Sequence, residues 1–213
     1  SGHDRLIVAP TGSGKTMAAM LPLLDRCLRQ KWDGMSILYI TPLRALNRDV
    51  DRRLDEITSA VGLTLGLRHG DTPQSERNKH VRKPPNVMIT TPETFQLMFT
   101  GSRLRELLRT VKAVVIDEVH EMAGGERGWQ LALGLSRLEA FKGSKIQKIG
   151  LSATVGNPEQ VATWLSDEAE AIKAIAPRST ELSVDAIIQL PEDEIGSLEL
   201  AISPRAHATL RGL

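Results

Sequence analysis

"RLIVAPTGSGKT", residues 5–16, is an apolar run that breaks into a short glycine-bearing turn and then into helix-favouring residues. The spacing of Gly12, Gly14, Lys15 and Thr16 suits a loop between a strand and a helix N-terminus. Glycines there let the backbone curl until several N–H groups point inward. The helix that follows, expected over about 14–29, adds a positive partial charge at its start. Such a concavity binds phosphate. Thr11, Gly12, Ser13, Gly14, Lys15 and Thr16 are therefore the candidate nucleotide-binding residues. Lys15 is placed to reach the β- and γ-phosphates, and the Thr16 hydroxyl to ligate Mg²⁺. Ala9 stands where the full phosphate-loop (Walker A) pattern has glycine. A glycine turn that binds nothing is the plain alternative.

Outward from this stretch, apolar runs of strand length alternate with helical periods. "SILYIT" (36–41), "LTLGL" (63–67), "NVMIT" (86–90), "VKAVVI" (111–116) and "KIQKIGL" (145–151) read as strands. Helices are expected over about 43–61, 93–99, 129–141 and 158–165, with Pro22 kinking the first one. Several strands are continuously apolar rather than alternating, which fits burial on both faces. The expected fold class is therefore α/β, a mostly parallel β-sheet flanked by helices on both faces. After about Asp167 the pattern weakens, although "TELSVDAIIQL" (180–190) reads as one more strand. The expected division is a domain over 1–190 and a linker over 191–213.

With 213 residues, 41% hydrophobic and 25% charged, the composition is that of an ordinary globular chain. A net charge of +1 provides no global field for a polyanion, so any such site is a local patch. Aromatic residues make up 3%, too few for a surface of many stacked rings. The lone cysteine, Cys27, lies in an apolar helical pattern and excludes an intramolecular disulfide framework. No run is long and apolar enough to span a membrane as a helix. The expected localisation is cytoplasmic or nucleoid-associated.

"VVIDEVHEM" (114–122) brings two adjacent carboxylates and an imidazole to the end of an apolar strand, about a hundred residues beyond Lys15. Nucleotide hydrolysis needs a metal held against the phosphates and a positioned water. In a parallel sheet the carboxyl ends of the strands share one rim, where ligands bind. Asp117 is therefore assigned to Mg²⁺ and Glu118 to the attacking water, making Lys15, Asp117 and Glu118 the catalytic candidates. His120 is either a surface histidine or a sensor of the γ-phosphate. "YITPLRAL" (39–46), "ITTPET" (89–94) and "GLSATVGNPE" (150–159) close three further strands on the same rim. Each Thr-Pro by itself is a helix start, with threonine as cap and proline in the first turn.

Together, "APTGSGKT", "TPLRALNRD", "RHGDT", "TTPET", "DEVHE" and "GLSATVGNPE" resemble, in order and spacing, motifs I, Ia, a GD motif, Ib, II and III of superfamily 2 helicases. "RHGDTPQSER" and "ERGWQLALGLSRLE" resemble the large helicase-related (Lhr) family most closely. The resemblance implies a RecA-like first motor domain that uses ATP and Mg²⁺. It implies that Ser152, Ala153 and Thr154, with His120, couple the nucleotide state to nucleic acid. It implies that Thr41, Pro42 and Arg44, with Thr91 and Glu93 and with Arg68, line the path of one strand. Helix-start amides and threonine hydroxyls suit that task, because they bind phosphates without reading sequence. The favoured partner is DNA over RNA, a choice of which backbone contacts carry little information; the family further implies 3′-to-5′ movement and a second RecA-like domain. Neither that domain nor an adenine-recognising segment upstream of residue 5 is matched here. The expectation is a monomeric fragment of a longer chain that binds ATP weakly and hydrolyses it barely.

Other readings stay open at this level. A duplex translocase or restriction motor would share every motif quoted. A regulatory nucleotide-binding module would not need Glu118, and a small-molecule kinase does not explain "TPLRAL" or "SAT". Arg48 and Arg52 read as a solvated face paired with Asp51 and Asp55. "ERNKHVRK" (76–83) reads as a plain surface helix or as one that touches a duplex, and "AGGERG" (123–128) as a flexible or conformationally responsive loop.

Overall fold

The computed structural model describes residues 2–42, 48–153 and 156–173. All of these fall in one compact unit of the chain. Seven strands form a single sheet in the order β3-β4-β2-β5-β6-β1-β7. They are β1 (Arg5–Val8), β2 (Ile37–Ile40), β3 (Leu65–Arg68), β4 (Val87–Thr90), β5 (Ala113–Ile116), β6 (Gln147–Ser152) and β7 (Glu170–Lys173). Every neighbouring pair is parallel.

The continuously apolar strands behave as their composition requires. In β2, β4 and β5 every residue is buried, so both faces carry core. On one face α1 (Lys15–Arg29) buries Ala19, Met20, Leu23, Leu24 and Cys27 against Ile37, Tyr39, Ile89 and Val115. Cys27 is thus a core residue. On the other face α4 (Pro92–Met98), α6 (Val119–Met122), α7 (Glu126–Lys142) and α8 (Pro158–Leu165) pack on Leu38, Met88, Val114 and Ile116. Three more helices, α2 (Arg48–Ala60), α3 (Gln74–Arg82) and α5 (Ser102–Leu107), complete the described set, with a 3₁₀ turn at Leu108–Thr110. Pro22 lies within α1 without ending it. The register aligns Ile40 with Thr90 and Ile116, and Val8 with Ser152. The ends of five strands therefore meet along one rim.

Several expectations are corrected. α7 starts at Glu126, not near Trp129, so "AGGERG" is not one loop: only residues 123–125 separate α6 from α7. β7 was not anticipated, because it is an edge strand of mostly exposed residues and shows no apolar pattern. Arg52 pairs with Glu56 at 3.7 Å rather than with Asp51 or Asp55, though both partners are exposed, as a solvated face requires. α3 has no buried residue, in keeping with a surface helix. The strand expected over 180–190 and the boundary near 190 lie outside the described residues.

Candidate active site

Gly12 and Gly14 take φ of 75° and 88°, the left-handed region that glycine enters without strain. Neither would bring a Cβ within 4 Å of a neighbour, so what they open is a concavity, not a packed turn. Ala9 does not have positive φ, which explains why the missing glycine of the phosphate-loop pattern costs nothing here. Its N–H donates to the Ser152 carbonyl at 3.1 Å and fixes the loop to the end of β6. α1 begins beyond Gly14 with no side-chain cap and no acidic residue in its first turn. Its leading amides thus stay available to an anion. Lys15 Nζ donates to the carbonyls of Ala9 at 2.7 Å and Pro10 at 3.2 Å, across the loop's mouth. Thr11, Gly12, Ser13 and Gly14 are exposed.

Asp117 follows β5 and is buried. Its N–H donates to Ile40 O at 2.8 Å, and its Oδ1 accepts the Glu118 N–H at 2.9 Å. Its Oδ2 accepts the hydroxyl of Tyr39 at 2.5 Å. The Thr16 side chain reaches the same hydroxyl. The two residues expected to serve Mg²⁺, Thr16 and Asp117, are thereby brought to one point, and this donor set of a hydroxyl and a carboxylate suits a hard cation. Tyr39 was missed by the sequence reading. Its signal was faint: the chain's single tyrosine, a polar tip inside an apolar strand.

Glu118 has φ 47° and ψ 41°, one of two described non-glycine residues with positive φ. Such backbone strain is found where a side chain must be aimed. Burial raises the Glu118 pKa, and the Asp117 charge adds to this, with His120 and Lys15 opposing. His120 Nδ1 lies 3.4 Å from Glu118 Oε2, near enough for attraction but without hydrogen-bond geometry. Ser152 is buried at the end of β6, and its Oγ has no hydrogen-bond partner. Thr41 Oγ1 and Thr90 Oγ1, at the ends of β2 and β4, are likewise buried without partners. Ala153 is half-buried, and Thr154 lies outside the described residues.

The residues expected along a nucleic-acid path are less open than the sequence suggested. Thr41, Pro42 and Thr91 are buried, and Arg44 lies outside the described residues. Arg68 is buried too, donating to the Arg77 carbonyl at 3.4 Å, and burial lowers its pKa. Thr91 caps α4, accepting the Thr94 N–H at 3.3 Å, with Pro92 in the first turn. Thr91→Ala is expected to cost about 1 kcal/mol of stability in urea denaturation, the ordinary value of a helix cap; an unchanged midpoint would remove the capping role. Glu93 is exposed and accepts from Arg127 of α7, Nε at 2.9 Å, with a second contact from Nη2. Burial alone would raise the Glu93 pKa, but that pair and its own backbone N–H bring it below the usual value.

The family model described as DEAD/DEAH box helicase matches residues 1–161. The chain is similar to the Lhr helicase/probable uracil glycosylase of Mycolicibacterium smegmatis, 40% identical over 93% of this chain and 14% of that protein. It is also similar to the Lhr helicase/uracil glycosylase of Escherichia coli, 41% identical over 97% of this chain and 15% of that one. It thus spans about one-seventh of the length of these relatives. Among solved structures, the Mycobacterium smegmatis helicase Lhr bound to ssDNA and AMP-PNP superposes with a TM-score of 0.69 and 43% identity. That match covers 81% of this chain and 23% of the other.

Proposed function

The chain belongs to the DEAD/DEAH box helicase family, and from that premise we propose that it is the ATP-hydrolysing motor portion of a nucleic-acid helicase. The carrying observation is the convergence on one sheet rim of Lys15, Thr16, Asp117 and Glu118, two of them meeting at the Tyr39 hydroxyl. In this reading the amides of residues 11–16 and Lys15 hold the phosphates of ATP. Thr16 and Asp117 hold Mg²⁺, which, when bound, neutralises charge on the phosphate oxygens. Glu118 takes a proton from, or orients, the attacking water; its raised proton affinity suits that work.

The nucleic acid is a single strand, DNA by preference, crossing the rim beside the ends of β2 and β4. Support comes from the similar M. smegmatis structure, which holds ssDNA and AMP-PNP. Because Thr91 is committed to capping, its contribution is to order α4 rather than to offer its own hydroxyl. His120 and Ser152, each with a buried polar atom lacking a hydrogen bond, are the proposed couplers between nucleotide and strand. A second RecA-like domain in the longer protein completes the motor.

Calorimetric titration of AMP-PNP with Mg²⁺ tests the nucleotide site. Lys15→Ala is expected to weaken binding by about 10- to 100-fold, the value of a charge-assisted hydrogen bond, with thermal stability unchanged because Lys15 bonds only to carbonyls at the loop's mouth. Equal affinities for the two chains would overturn the reading.

A further inference from the structure

Tyr39 is completely buried in the middle of the sheet, yet it carries a hydroxyl. Phenylalanine would fill the same space and need no partner, so the hydroxyl requires its own explanation. The register supplies it. Tyr39 pairs with Val115 in β5, and Asp117 lies two residues further along the same face. That diagonal neighbour is within reach of a long aromatic side chain, and the hydroxyl closes on Asp117 Oδ2 at 2.5 Å. Oδ1 is held from another direction by the Glu118 N–H at 2.9 Å. Both carboxylate oxygens are therefore fixed by protein donors, and the side chain has one available orientation.

We propose that Tyr39 is a positioning residue that pre-sets Asp117 and Thr16 for a divalent cation accompanying the nucleotide. The proposal rests on the nucleotide-site reading above and adds a residue to it. The donor–acceptor count is consistent. An ionised carboxylate has about four lone-pair positions. The Tyr39 hydroxyl and the Glu118 N–H use two of them and leave the others for a cation. A threonine hydroxyl has one proton and two lone pairs. If its proton goes to the Tyr39 oxygen, both lone pairs remain for the metal. Without Tyr39 the cation would have to order Asp117 as it binds. Pre-ordering a ligand in this way raises affinity by removing that cost. The sheet interior makes the arrangement rigid, because a fully buried ring on a central strand has no other rotamer to visit.

The test compares AMP-PNP affinity in Mg²⁺ with affinity in EDTA, for the native chain and Tyr39→Phe. The variant is expected to lose about tenfold in Mg²⁺, the value of a hydrogen bond to a charged group, and to be unchanged in EDTA. An equal loss in both buffers would mean a merely structural role and would overturn the proposal, as would no loss in either. In an Asp117→Asn background, Tyr39→Phe should add nothing; a full additive loss would show that it does not act through Asp117. A second measurement needs no variant. Because the chain has a single tyrosine, ultraviolet resonance Raman reads its hydrogen bonding directly, and a strong-donor signature is expected before any metal is added. A phenol that is free, or that accepts without donating, overturns the proposal. A native chain that binds AMP-PNP in neither buffer would instead overturn the nucleotide-site reading, and this proposal with it.

Discussion

Glu118→Gln is expected to lower the single-turnover rate of ATP hydrolysis by about 10²- to 10⁴-fold, the usual worth of a positioned general base, and to leave nucleotide affinity within about twofold. The substitution keeps volume, shape and one acceptor oxygen, and removes the negative charge and with it the ability to take a proton. The geometry says why that matters at this position. Glu118 stands two residues past the end of a buried strand, in a left-handed backbone conformation that turns its side chain away from the direction Asp117 takes. Two adjacent residues thus serve different partners: Asp117 faces the Tyr39 hydroxyl inside the sheet, and Glu118 faces the rim. Burial and the neighbouring Asp117 charge both favour the protonated form of Glu118, which makes its ionised form a better base. The assay uses the chain in excess over labelled ATP, with and without single-stranded DNA. A variant that hydrolyses ATP within twofold of the native rate would sink the assignment of Glu118 to the water. Loss of binding along with hydrolysis would shift Glu118 to a phosphate- or metal-holding role.

What could be read in advance follows the kind of constraint each feature obeys. The phosphate loop and the Asp117–Glu118 pair were legible because their chemistry demands particular residue types at fixed spacing within a few residues. The parallel sheet was legible because Val114, Val115 and Ile116 are apolar on both faces, as two-sided burial requires. Tyr39 was not, since its role depends on which strand lies beside β2, and that register is set by the whole sheet. β7 was hidden because Glu170–Lys173 is polar; pairing with β1 makes it a strand, not its composition. Arg68 was expected along the path of a nucleic-acid strand, but its guanidinium is folded under cover and bonded to the Arg77 carbonyl. The start of α7 was misplaced for the opposite reason. Gly124, Gly125 and Gly128 look alike in sequence, yet the first two belong to a turn and the third to a helix.

That third glycine carries the largest stability prediction. Gly128→Ala is expected to cost about 1–3 kcal/mol in urea denaturation, the range for forced overpacking, and to reduce ATP turnover as well. Alanine is intrinsically the better helix former by about 1 kcal/mol, so a glycine in the first turns of α7 runs against local preference. The close approach of α6 explains it. A Cβ at residue 128 would lie 2.0 Å from the Met122 carbonyl oxygen and 2.8 Å from its carbon. Both are backbone atoms, so no side-chain rotation relieves the clash; one helix must move by about 1 Å for the contact to reach even the shortest distance real Cβ atoms show. α6 is not free to move alone. Val119 and Met122 are buried in the core beneath it, and Glu118 is the residue immediately before its start. Displacing α6 therefore pulls on the turn that aims Glu118. Gly134, on the same helix, meets the side chains of Gln96 and Phe95 instead, with no backbone atom among its nearest contacts. A Gly128→Ala chain as stable and as active as the native one would show that α6 and α7 separate without cost, and that the acidic turn is held in place by something other than their contact.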